Sequence, residues 1–253
     1  MSNSSNYIIQ RGGGHMEKKN SERFLNAFIE IESRLKEIVN NDVHKAFYQL
    51  VDRAARKNES IEKYKTILKE YAELRNAIVH KRIDGEAIAE PHTSVVEDLE
   101  FICKMITKPP KLEDEFLRKV IKCSSYDRIS VAARRMFGNS FTQIPVYDSR
   151  KFVGLLTTDS MARWMSANLE SGAGYTEDVD VRSILEFNEH KENCIFISRT
   201  ATVFDAISAF EQWHKRGARL NAIIITEMGD RNENPLGILT LFDLPRLYST
   251  ISK

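Results

Sequence analysis

"FTQIPVYDSRKFVGLLTTDSMARWM", Phe141 to Met165, and "RLNAIIITEMGDRNENPLGILTLFDLPRLY", Arg219 to Tyr248, carry the same order of parts. Each runs as an apolar strand, a polar turn, an apolar strand containing glycine, and then a threonine that leads into a helix. Setting Gly154 on Gly237 places Thr157 on Thr240, Ser160 on Asp243 and Arg163 on Arg246. An amphipathic stretch precedes each copy, "DRISVAARRMF" before the first and "TATVFDAISAFEQWHKRG" before the second. Self-similarity of this length predicts two like units packed against one another.

The second copy brings a hydroxyl and a carboxylate together. Thr240 and Asp243 stand three residues apart at a strand-to-helix junction, so they share a face and could grip the adjacent hydroxyls of a ribose. Arg246, three residues further on, could face a phosphate, and the free N–H groups of a helix start favour an anion. The apolar run through Ala222 and Ile223 offers a wall for a flat base. A capping threonine with an acid in the first turn also stabilises any helix, so the motif alone supports a structural reading too. In the first copy Thr157, Ser160 and Arg163 hold the matching places, and serine can hydrogen-bond a ribose without supplying charge. Arg163 and Arg246 read equally well as solvated surface residues.

The repeat resembles a tandem pair of CBS domains, the Bateman module, over Leu112 to Lys253. "GILTLFD" fits the family's signature of glycine, two apolar residues, threonine, two variable residues and aspartate. "GLLTTDS" departs from it, with Ser160 where the acid belongs and Asp159 one place early. The resemblance implies two β-α-β-β-α repeats, residues 112–172 and 178–253. It also implies an adenine nucleotide as regulatory ligand (AMP, ADP, ATP, cyclic di-AMP or S-adenosylmethionine) in one or both clefts between the repeats. Its binding residues would be Thr240, Asp243, Arg246, Ala222 and Ile223 in the second copy, and Thr157, Ser160 and Arg163 in the first.

Before "TKPPKLED" the pattern is helical. Phe24, Phe28, Ile31, Leu35 and Ile38 recur at intervals of three and four, which predicts a first helix behind Ser21. A second is expected behind Asp42 and a third behind Ser60, stopped by "IDG"; "HTSVVEDLEFICKMI" supplies the fourth. Short links between them predict an up-and-down bundle over residues 16–108, and the paired prolines 109 and 110 predict a linker. The fold class expected for the whole chain is therefore α+β.

The third predicted helix contains "LRNAIVH", in which Asn76 and His80 stack at i and i+4 with Arg75 beside them. This resembles the R-x4-6-H motif of HEPN domains, small helical bundles with the motif on a late helix. That resemblance implies a metal-independent ribonuclease with Arg75, Asn76 and His80 as catalytic residues. Histidine can move the proton of a ribose 2′-OH or of the leaving 5′-oxygen, arginine can clamp the scissile phosphate, and asparagine can hold either partner. One such set per chain is a half-site. Both resemblances imply a homodimer that completes it. The bland reading is a polar edge beside the apolar face of Leu74, Ile78 and Val79. Arg82 stands where nucleotidylated HEPN toxins carry tyrosine, which counts against that class.

Composition narrows the field. With a net charge of +1 over 253 residues there is no global basic field, so contact with single-stranded RNA would be local, at residues such as Lys81 and Arg82. Cys103, Cys123 and Cys194 are odd in number and far apart, which fits reduced thiols used for packing. No apolar run reaches membrane-spanning length, and the expected location is cytoplasmic. "MSNSSNYIIQRGGGHM" reads as a disordered expression leader over residues 1–15. His44, His92, His190 and His214 lack ligand-spaced neighbours, and "EPH" at Glu90 reads as a loop into the fourth helix, so no metal is expected. There is no P-loop. Two functions fit: a nucleotide-sensing CBS pair that controls a HEPN-like ribonuclease, or a noncatalytic regulator whose bundle serves dimerisation or partner binding.

Overall fold

The computed structural model describes residues 19–40, 46–80, 82–83, 86–87, 90–170, 179–189 and 194–253. For His80, Glu170 and the residues of the two short strands within 82–87, the backbone alone is described. The chain forms two compact units, divided between Thr107 and Lys108. The expected leader, the Asp42 cap and the residues Lys81, His44 and His190 lie outside the described residues.

The N-terminal unit holds α1 (Asn20–Ile38), α2 (Phe47–Ala55), α3 (Glu59–His80), a two-residue hairpin of β1 (Arg82–Ile83) and β2 (Glu86–Ala87), and α4 (Thr93–Thr107). Phe24, Phe28, Ile31 and Leu35 of α1 meet Leu50 and Val51 of α2, Ile61, Leu68 and Ile78 of α3, and Leu99, Ile102 and Ile106 of α4 in one core. Each such side chain contributes about 1.5–3 kcal/mol by leaving water.

Two expected caps are corrected. Ser21 lies inside α1, buried, and its amide donates to Glu90 Oε1 at 3.0 Å. Asn20 donates to Pro91 O (3.2 Å) and Thr93 Oγ1 (3.0 Å), so "EPH" and its neighbour fasten the start of α1 from the loop before α4. For α3 the cap is Asn58, whose Oδ1 accepts from Ser60 Oγ (2.5 Å) and Ile61 N (3.2 Å). Spacing along one helix finds neither, because the first cap is a tertiary contact and the second sits two residues early.

The C-terminal unit contains the two repeats. After α5 (Leu112–Glu115), the first runs through α6 (Ile129–Gly138), the antiparallel pair β3 (Gln143–Asp148) and β4 (Lys151–Thr157), and α7 (Thr158–Glu170). Its opening strand is reduced to a single parallel bridge between Cys123 and Val146. After α8 (Val181–Leu185), the second runs through β5 (Cys194–Ser198), α9 (Val203–Lys215), β6 (Ala222–Thr226) and β7 (Gly237–Leu239). β5 pairs with β6 in parallel, as a helical crossover requires, and β6 with β7 antiparallel. A 3-10 turn, Leu241–Asp243, then leads into α10 (Leu244–Thr250).

The repeats are interleaved. Residues 110–118 lie at the start of the first repeat in sequence yet bond to the second. Leu112 N donates to Ala201 O (2.9 Å), Glu113 N to Arg199 O (3.0 Å), Arg118 N to Leu236 O (2.9 Å), and Val203 N to Pro110 O (2.9 Å). In return, residues at the start of the second repeat close the first. Ile129 N donates to Val179 O (2.8 Å), and Val181 N to Asp127 O (2.9 Å). Val181 and Ile184 sit fully buried among Cys123, Ile144, Leu156 and Trp164.

Gly237 makes part of this exchange possible. A Cβ there would lie 2.7 Å from the Phe116 carbonyl oxygen and 3.0 Å from Ile225 Cδ1. Glycine therefore lets the backbone at Phe116 approach β7, which brings Arg118 to the end of that strand.

Candidate ligand cleft

Thr240 closes β7 in an extended conformation, and its side chain and that of Asp243 cap one another. Thr240 N and Oγ1 both donate to Asp243 Oδ2, at 2.7 and 3.1 Å, and Phe242 N donates to Thr240 Oγ1 at 3.3 Å. The cap fixes the carboxylate through one oxygen. Its other oxygen, Oδ1, meets Arg118 Nη2 at 3.2 Å. Arg118 also donates to Ile238 O, so one guanidinium bridges the carboxylate and the end of β7.

Beside this group lies a cleft of about 450 Å³, lined among others by Ile121, Pro145 and Ile238, by the cations Arg118 and Lys119, and by Thr240 and Asp243. Phe141 and Phe242 line it as well, and Phe242 is 83% exposed, an aromatic face open to a base. This volume falls in the range of small-molecule sites. A groove of about 470 Å³ that shares Thr142, Gln143, Thr240 and Phe242 extends to Asp159 and Arg219, which pair at 3.2 Å.

In the first repeat Thr157 and Ser160 bond to one another, and Thr157 also borders the groove of about 470 Å³. Thr157 N donates to Ser160 Oγ (3.1 Å), Ser160 N to Thr157 Oγ1 (3.1 Å), and Ser160 Oγ to Thr157 O (2.8 Å). The space beside them, bounded by Asn188, Glu189, Arg219 and Asn221, is about 20 Å³, room for a single water. Asn188 Oδ1 is buried and unpaired in protein contacts, which suits such a water.

The CBS-domain family model matches residues 114–167 and 181–249. The C-terminal unit is a tandem pair of CBS domains. No curated protein matches the sequence. Among solved structures, the CBS domain pair of MJ0100 in complex with 5′-methylthioadenosine and S-adenosyl-L-methionine is 19% identical, covering 57% of this chain and 99% of that one, with a TM-score of 0.42. CBSX2 in complex with AMP is 14% identical, with 57% and 99% covered and a TM-score of 0.41. A conserved protein from Pyrococcus horikoshii is 20% identical, with 55% and 92% covered and a TM-score of 0.40.

Of the residues singled out by sequence, Thr240 and Asp243 line the open cleft of the second CBS domain, Thr157 and Ser160 line the small space of the first, and Thr157 and Thr240 both border the larger groove. Ala222 and Ile223 are fully buried in β6, so the apolar wall comes instead from Ile121, Pro145 and Ile238. Arg246 does not face the cleft; it donates to Glu115 O at 2.9 Å and lies 4.9 Å from the Phe116 ring centroid. It thus fastens the opening segment. Arg163 pairs with Glu189 at 3.1 Å on the surface. The expected helix start for an anion is a three-residue 3-10 turn before a seven-residue helix, too short to supply much of a dipole.

Arg118 and Lys119 were not legible as site residues. "FLRKVI" reads as a plain alternating segment at the start of the first CBS domain. Only the interleaving carries it to the second.

In the helical unit, Arg75 is half-buried with its guanidinium 6.0 Å from the Phe28 ring centroid, and Asn76 is exposed, its Oδ1 3.5 Å from Arg75 Nη1. His80 ends α3, and its side chain lies outside the described residues. Burial pushes the Cys103 and Cys123 thiols up to about 12, consistent with packing residues. Among the described residues no group of three or more His, Cys, Asp or Glu is placed to hold a metal ion. No helix among them is long and apolar enough to cross a membrane.

Proposed function

We propose that this protein senses an adenine nucleotide in the open cleft of the CBS pair, and that occupancy governs the helical unit. The observation that carries this reading is Asp243: held by Thr240 through Oδ2, it lines a nucleotide-sized cleft with apolar walls on one side and two cations on the other. A carboxylate held in place in this way can accept hydrogen bonds from ribose hydroxyls, while Ile238 and Phe242 offer apolar surface to the base. The family admits AMP, ADP, ATP, cyclic di-AMP and S-adenosylmethionine.

The test is thermal melting of the purified full-length chain with each compound. A true ligand at one hundred times its Kd adds about 2.7 kcal/mol to stability. Asp243→Ala is expected to weaken binding about tenfold, from loss of hydrogen bonds to a charged acceptor. An unshifted melting temperature with all five compounds would overturn the reading.

For the helical unit we infer a HEPN-like output. Arg75 and Asn76 lie side by side on the surface of α3, and the backbone of His80 follows Asn76 by one helical turn. Paired across a homodimer, two such sets would cleave single-stranded RNA without metal in the cytoplasm. The competing reading keeps the same nucleotide sensor and gives the bundle a noncatalytic role in dimerisation or partner binding.

A further inference from the structure

Among the described residues, two cations border the open cleft and one acid, Asp243, and one of the cations already occupies that acid. Arg118 Nη2 lies 3.2 and 3.3 Å from the two carboxylate oxygens of Asp243 and also donates to Ile238 O. Its side chain is 48% exposed while that of Asp243 is 15% exposed, so the arginine covers the carboxylate from the solvent side. A ribose hydroxyl that takes Asp243 Oδ1 therefore competes there with Arg118. A guanidinium without an anion at the mouth of the cleft loses a charge-assisted bond, unless the ligand brings an anion of its own.

We propose that Arg118 is a latch that makes the cleft selective for phosphorylated adenosine over adenosine itself and over S-adenosylmethionine. This rests on the adenine-nucleotide reading of the same cleft. With a phosphate present, Arg118 exchanges the Asp243 carboxylate for the phosphate oxygens, and Asp243 becomes free for the ribose. Adenosine offers no anion in exchange. S-adenosylmethionine carries a sulfonium and an ammonium against a single carboxylate, and it meets Arg118 and Lys119 with like charge. Lys119, on the same segment, adds to the attraction for phosphate as a point charge.

The experiment is isothermal titration of the full-length chain with AMP, ADP, adenosine and S-adenosylmethionine at one fixed salt concentration, repeated on Arg118→Met. For the unaltered protein, AMP or ADP should bind at least about tenfold more tightly than adenosine or S-adenosylmethionine. In Arg118→Met the nucleotide should weaken and adenosine strengthen, so that their ratio falls to about threefold or less. Arg118→Lys, which keeps the charge and loses the fork, should lie between the two. If the methionine variant does not fold, the four ligands on the unaltered protein and on Arg118→Lys still decide.

Equal affinities for AMP and adenosine in the unaltered protein, or tighter binding of S-adenosylmethionine, would overturn the latch and leave the adenine-nucleotide reading standing. A ratio that survives in Arg118→Met would overturn the role of Arg118. Absence of binding by all four compounds would overturn the nucleotide reading, and the latch with it.

Discussion

On the proposed ribonuclease reading, His80→Ala is expected to lower cleavage of single-stranded RNA at least a hundredfold, measured with full-length protein in EDTA. General acid–base catalysis by a placed histidine contributes about 10²–10⁴ in rate, and chelation removes metal-dependent contaminants from the assay. The substitution replaces a weak helix former by the best one at the end of α3, so an unchanged melting temperature is expected beside the lost activity. Cleavage at the original rate in this variant would remove His80 from the mechanism. An unaltered protein that leaves RNA intact while its melting temperature rises with adenine nucleotides would favour the noncatalytic role of the bundle. Arg75 is a less clean probe, because its guanidinium lies 6.0 Å from the Phe28 ring centroid and truncation would disturb that contact as well as the charge.

Gly237→Ala is expected to destabilise the CBS pair by about 2–3 kcal/mol, near the upper end for an overpacked site. The added carbon would stand 2.7 Å from the Phe116 carbonyl oxygen, and that obstacle is backbone. Relief requires the opening segment to move off β7, where Arg118 N bonds Leu236 O at 2.9 Å and Arg246 bonds Glu115 O at 2.9 Å. Melting temperature should fall by roughly 5–10 °C for a unit of this size. Nucleotide affinity should fall with it, since the same segment carries Arg118. The matching glycine of the first CBS domain is the control. A Cβ at Gly154 would come nearest to the Leu185 side chain, 3.1 Å from Cδ1 and 3.2 Å from Cδ2, and a leucine side chain can turn aside. Gly154→Ala should therefore cost less than about 1 kcal/mol. Equal losses for the two variants would show that the backbone approach at Phe116 is not what requires glycine.

The parts of the fold that depend on local periodicity were legible in the sequence. Four helices and the doubled strand–turn–strand–helix pattern follow from apolar spacing and from the position of Gly154 and Gly237. The Thr240–Asp243 pair was legible because both members lie on one turn. The residues that complete its surroundings were not, because they reach it through tertiary structure. Arg118 arrives from the far side of the first CBS domain, and Ile121 and Pro145 supply the wall that Ala222 and Ile223 were expected to provide. Residues on β6 were misjudged because a continuous apolar strand fits both an interior strand and a ligand wall, and these are 0% exposed. Arg246 was placed by its spacing from Asp243, yet Phe116 and Glu115 hold it elsewhere.

The interleaved segments also bear on how the C-terminal unit comes apart. Each CBS domain lends the other a piece of chain: residues 110–118 lie against the second, and Val181 and Ile184 are buried in the first. Neither domain can open without stripping its neighbour of backbone bonds and apolar cover. The pair is therefore expected to share one cooperative unfolding event, in which stability added by a ligand in the proposed cleft would protect both domains.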